Sequence, residues 1–233
     1  MIENIPSYIN WCFALITAAT VIFYLSAVSK TDRRAATITG VVLAALLGLH
    51  AVLAYTSFYT VKTVPPRFFL TLLPSTVILL ILFFAFTKNV GSFELMRLLT
   101  LLSSVRVPVE IVLLGLYREG HVPQLMTFEG RNFDIISGVT APLAAWLAFR
   151  GGKINRPLLI GWNLAAFGLL LNILINAVLA LETPFQQFAF DQPNRAVLYF
   201  PVIWLPAIVV PIVFVSHIAS LWQLLFRSSN ETV

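Results

Sequence analysis

The sequence predicts an all-α integral membrane protein of seven transmembrane helices, with the N-terminus outside and the C-terminus cytoplasmic. Three observations predict it. Of 233 residues 59% are hydrophobic and 11% charged, and mean hydropathy is +0.89, whereas roughly a quarter of the residues in a soluble domain are charged. The apolar residues gather in seven runs, each long enough to span a bilayer as a helix of about 20 residues. The basic residues lie between those runs and are unevenly shared between the two sides.

The predicted runs are Ile5 to Ser29, Ala36 to Tyr59, Phe68 to Phe86, Leu98 to Tyr117, Phe133 to Phe149, Pro157 to Leu181 and Val197 to Phe226. In lipid every backbone polar group must be satisfied within its own segment, so runs of this length read as helices and not as barrel strands. They leave little chain for a soluble domain, and residues 1–233 read as one polytopic membrane domain. The first run lacks the basic flank of a signal peptide, since Glu3 and Pro6 precede it, and is expected to be retained. Cys12 is the single cysteine and reads as a packing residue.

Orientation follows from the basic residues. Lys30, Arg33, Arg34, Lys88, Arg97, Arg150, Lys153, Arg156 and Arg227 fall on one side, which makes nine; Lys62, Arg67, Arg118, Arg131 and Arg195 fall on the other, which makes five. The positive-inside bias places the nine in the cytoplasm. A plasma or bacterial inner membrane is the expected location. The net charge of +5 is thus a topology signal, with no basic stripe for nucleic acid.

The first three spans also align weakly with the last three in the same orientation, as repeats 5–87 and 131–226 about a linker helix 98–117. Lys30-Thr-Asp-Arg33 matches Lys153-Ile-Asn-Arg156, Gly40-Val-Val-Leu-Ala-Ala-Leu46 matches Gly161-Trp-Asn-Leu-Ala-Ala-Phe167, and His50-Ala-Val-Leu-Ala54 matches Asn176-Ala-Val-Leu-Ala180. Chance agreement in a small apolar alphabet is the alternative. Such a three-one-three arrangement is similar to that of the small sugar transporters called SWEETs, in architecture alone. Microbial rhodopsins also have seven spans, but Lys30, Lys62, Lys88 and Lys153 all lie in loops, leaving no lysine in the last span to hold retinal.

Charges within a span are costly, which singles out Arg106 and Glu110 in the fourth. Four residues apart, they share a helical face and are expected to pair, with Pro108 between them freeing the carbonyl of Ser104 and kinking the turn. At the helical rise Glu110 lies about 10 Å and Arg106 about 16 Å below the outer end of the run. His50 in the second span and Asn172 and Asn176 in the sixth fall in the same layer, at about 8 to 14 Å. Together these five residues form the expected substrate or ion site, with Glu110 and His50 as a proton or cation relay. The structural alternative is helix-packing glue.

Above this layer, Glu129, Arg131, Asn132 and Asp134 cluster around Gly130 as an expected outer-loop lid, or as the start of a helix capped by Asn132. The segment from Glu182 to Tyr199 interleaves aromatic and polar residues and predicts a short interfacial helix or a gate. His50 and His217 admit a haem reading, opposed by their different depths. His121 with Glu129 is a conceivable metal pair of no recognised spacing; no zinc, nucleophile-elbow or Walker motif occurs, and no metal site is expected. The function expected is a small permease or an ion- or proton-coupled carrier in the lipid bilayer for a small molecule or ion. An intramembrane enzyme or a haem- or lipid-binding membrane protein is the rival reading, and a sensor or assembly factor the third. The sequence sets no oligomeric state.

Overall fold

The computed structural model describes residues 5–87 and 91–226. Glu3, Lys88 and Arg227, which entered the reading above, lie outside the described residues. Among those described there are seven helices and no strand: α1 (Ser7–Ser29), α2 (Arg33–Tyr55), α3 (Phe69–Phe86), α4 (Phe93–Arg118), α5 (Asp134–Ala148), α6 (Arg156–Leu179) and α7 (Leu205–Phe226). Six are long and apolar enough to cross a membrane, and α5 is a shorter apolar helix of 15 residues. The architecture is that of a helical membrane protein.

Polar residues set the helix starts. Asp32, Ser92 and Asn155 accept hydrogen bonds from the backbone N–H groups of Ala35, Leu95 and Leu158 at 3.0, 3.3 and 3.3 Å. Each satisfies an N–H that has no partner within its helix. Such caps lie beyond the apolar runs, so α4 begins five residues before the predicted Leu98, its first turns carrying the exposed Glu94–Arg97 pair at 3.6 Å. The kink expected near Pro108 is a 3₁₀ turn over Ser103–Val105, which contains Ser104, whose carbonyl the proline leaves without its helical donor.

Two expectations are corrected. The seventh run was predicted to be helical from Val197, but α7 starts at Leu205 and its first five residues, Leu205–Val209, are wound as a π-turn. Pro201, Pro206 and Pro211 lack the N–H that a continuous helix needs, and their rings obstruct the preceding turn. The segment from Glu182 to Tyr199 is not an interfacial helix. It folds back as turns with a single 3₁₀ turn at Ala196–Leu198. Side-chain amides hold it there: Gln192 donates to the carbonyls of Tyr117 and Val122 at 3.0 and 2.6 Å, and Asn194 donates to that of Ala177 at 3.2 Å. The loops 56–68, 119–133 and 180–204 therefore gather at one end of the bundle.

The most interior helix is α7, with 67% of its span buried against 17% for α3. It packs on α3, α4 and α6; α1 packs on α2 and α4, and α5 on α4 and α6. Phe13, Leu113, Leu116 and Ile203 form the core toward the loop-rich end, while Tyr24, Leu43, Phe83, Leu99 and Ile212 form it toward the other. Lipid tails are as apolar as these side chains, so shape fit and polar ties must select the partners.

Glu182 accepts a hydrogen bond from Arg195 within the folded-back loop, and that bond holds its carboxyl below the ordinary range. With the folded-state value below the unfolded one, the pair's contribution is complete above the unfolded pKa and fades as pH falls through the folded one. Glu182→Gln should lower stability at pH 7 by no more than about 1 kcal/mol, the pair being exposed. In thermal unfolding the gap between wild type and variant should close on acidification; a gap that stays constant into the acid range would contradict this.

Candidate functional site

The site begins with a close approach of two helices. A Cβ added at Gly138 of α5 would lie 2.8 Å from Val107 Cγ2 and 2.9 Å from the Val107 backbone nitrogen, so α5 crosses α4 at near backbone contact. Asp134 lies one turn earlier on α5. The crossing delivers its carboxylate to Arg106, Nη1 to Oδ1 at 2.8 Å, with both residues buried. The predicted pairing of Arg106 with Glu110 is thus corrected. Asp134 has the better approach because it comes from a neighbouring helix, and its charge also suits the N-terminus of α5.

Arg106 binds two further helices. Nη1 donates to the Ala166 carbonyl of α6 at 3.0 Å, and Nη2 donates to His217 Nε2 of α7 at 2.6 Å. A guanidinium has no acceptor, so Nε2 must be unprotonated and Nδ1 must carry the ring proton. That nitrogen donates to Asn163 Oδ1 at 2.9 Å, and Asn163 Nδ2 donates to the Leu159 carbonyl at 2.9 Å. A neutral histidine in one tautomer follows from the network.

Glu110, one turn beyond Arg106, is 2% exposed. Its Oε1 accepts from Asn132 Nδ2, which also donates to the Met126 carbonyl at 3.0 Å, while Asn132 Oδ1 accepts from the Asp134 backbone N–H at 3.1 Å. Asn132 therefore both starts α5 and fixes Glu110. The loop holds it by a tight turn at Gly130, where a Cβ would overlap the Gln124 carbonyl. Glu110 Oε2 and Arg106 Nε are buried without a hydrogen-bond partner.

Glu110, Asn132 and Asp134 lie on the wall of a partly open cavity of about 290 Å³ bordered by α3, α4, the start of α5, α6, α7 and the adjoining loops. The rest of the wall is almost entirely apolar, with Phe69, Leu72, Leu113, Leu170, Leu174 and Phe214 among its side chains. We refer to it as the chamber.

Of the residues expected to line one site, the structure joins Arg106 and Glu110 and separates the others. His50 lies between α2 and α3, with Nδ1 2.7 Å from the Tyr59 hydroxyl and Nε2 2.9 Å from Ser75 Oγ. Ser75 spends its proton on the Thr71 carbonyl at 2.7 Å, so His50 Nε2 donates to Ser75 and Nδ1 accepts from Tyr59. Asn176 donates to the carbonyl and side-chain oxygen of Asn172 at 2.9 and 3.1 Å, and Asn172 donates to the Arg131 carbonyl at 2.9 Å. None of the three lines the chamber. Both ring nitrogens of His50 and of His217 have protein partners, which leaves neither open to a haem iron.

The lid cluster divides in the same way. Asn132 and Asp134 turn inward; Glu129 faces Arg118 at 3.8 Å on the surface, and the Arg131 guanidinium lies over the Phe188 ring, 5.2 Å from its centroid. Sequence reading did not place Asn163 or His217 beside Arg106. The one available signal was that both are polar residues inside apolar runs. Among the described residues no group of three or more His, Cys, Asp or Glu is placed to hold a metal.

Removing Asp134 leaves Arg106 buried without its counter-charge. Asp134→Ala should cost about 3–5 kcal/mol in unfolding experiments, while Arg106→Met with Asp134→Leu should recover most of the loss. A double variant as unstable as the single one would mean that packing, not charge, dominates. Gly138→Val should cost about 1–3 kcal/mol by forcing α4 and α5 apart.

A family model described as a domain of unknown function, DUF8737, matches residues 63–225, more than half of the chain. The match contains every residue of the chamber wall and of the Arg106 network, and excludes α1 and α2. No curated protein and no solved structure matches the chain.

Proposed function

The chain belongs to the DUF8737 family, and from the chamber's chemistry we propose that it is a small proton-coupled membrane carrier for an apolar or amphiphilic solute, with Glu110 as the exchanging group. One observation carries the reading: a buried carboxyl with an unpartnered oxygen stands at the wall of a largely apolar chamber. Among the described residues the interior holds one cation, Arg106, against two carboxyl groups. Arg106 balances one of them, through its pair with Asp134. The other is balanced by a proton or by a charged group on the solute, because an isolated charge in this setting is expensive.

The rest of the reading is arranged around that group. Seven spans with the N-terminus outside, supported by the basic bias, put the loop-rich end and the chamber in the outer half of the membrane. The weak three-one-three alignment of the sequence would suit a carrier in which two similar halves move about α4. The apolar wall favours a solute with a hydrocarbon part.

Proteoliposomes enclosing the pH dye pyranine provide the test. Octanol, octanesulfonate and octyltrimethylammonium are added outside in turn, with protein-free vesicles as the control. At least one of them should produce a protein-dependent change of internal pH that is lost in Glu110→Gln. If none does so in wild type, or if Glu110→Gln responds as wild type does, the carrier assignment fails.

A further inference from the structure

A second cavity, of about 790 Å³, lies between the loop joining α2 to α3 and the loop joining α6 to α7. Its wall differs in kind from that of the chamber. Lys62, Arg195, Glu182, Tyr59 and Gln186 line it, and it forms a polar vestibule. Phe68 and Leu198 belong to the walls of both cavities. The vestibule and the chamber therefore adjoin, with these two apolar side chains as the partition.

The charges of the vestibule do not cancel. Lys62 and Arg195 face a single carboxylate, Glu182, which accepts its hydrogen bond from Arg195. Lys62 is exposed and has no carboxylate within ion-pair distance among the described residues. The vestibule thus presents one cation in excess, at the mouth of a space that accepts hydrocarbon.

We propose that the two cavities form one composite site for a single-chain amphiphile with an anionic head, its chain in the chamber past Phe68 and Leu198 and its head held by Lys62 and Arg195. The proposal rests on the reading that the chamber takes an apolar solute, and adds the charge and place of the head. It also gives the proton at Glu110 a reason. With the anion neutralised in the vestibule and hydrocarbon against Glu110, the proton is what remains to balance that carboxyl. A cationic head would instead travel inward to Glu110 and have no use for Lys62.

Displacement of the apolar dye N-phenyl-1-naphthylamine from the full chain in nanodiscs separates these cases. Octanesulfonate should displace the dye at about tenfold lower concentration than octanol or octyltrimethylammonium, the worth of one charge-assisted bond, and methanesulfonate should not displace it. Lys62→Gln and Arg195→Gln, both at exposed positions, should each raise the octanesulfonate concentration needed by about the same factor and leave octanol unchanged. Equal potency of the three octyl compounds, or octyltrimethylammonium as the tightest and sensitive to Glu110→Gln, overturns the head assignment and leaves the chamber reading standing. Displacement by methanesulfonate alone would make the vestibule a simple anion site and overturn the composite. Failure of the dye to bind at all defeats the chamber reading and this proposal together.

Discussion

The guanidinium of Arg106 is the interaction on which the bundle depends. In a membrane the apolar faces of helices gain little by meeting one another, because lipid serves them equally well. A buried cation removes that indifference. Arg106 reaches a carboxylate on α5, a carbonyl on α6 and an imidazole on α7. Of the many ways in which these helices could lie together, few bring all three acceptors to one point.

The same network joins structure to chemistry in a way that a choice between glue and site does not capture. Asn132 starts a helix, and its carboxamide also holds Glu110. Asp134 neutralises Arg106, and its residue borders the chamber. Gly138 contributes no polar atom, yet its missing side chain allows α4 and α5 to come close enough for the ion pair. The carboxyl at the chamber wall is held by residues that the fold requires in any case.

The helices were legible in the sequence because a spanning segment has to be apolar over its whole length, and few other segments are. Their ends were less legible: the caps at Ser92 and Asn155 are polar residues outside the apolar run, and the prolines near Pro201 sit within apolar sequence that a hydropathy pattern cannot break. Of the candidate site, Arg106 and Glu110 stood out because charge in a span needs a reason. Their partners did not. Spacing along one helix suggested that they pair with each other, whereas contact across helices decided otherwise, through a glycine whose significance appears only once α5 is laid on α4. His50 and the two asparagines share a depth with Glu110 but point to different neighbours, and depth alone says nothing about direction around a helix.

The brevity of α5 has a consequence for the surrounding lipid. At the helical rise its 15 residues extend about 22 Å, against a hydrocarbon thickness of about 30 Å. Its outward face carries Ile136, Val139, Leu143 and Trp146, each more than half exposed, so this is a surface made for acyl chains. A bilayer spanned by a helix of this length would have to become thinner there, or the helix would have to recruit neighbouring material to cover the deficit. With α5 as a span, hydrophobic mismatch would fall on the very helix that supplies Asp134, and membrane thickness would become a variable to which this region of the protein is mechanically coupled.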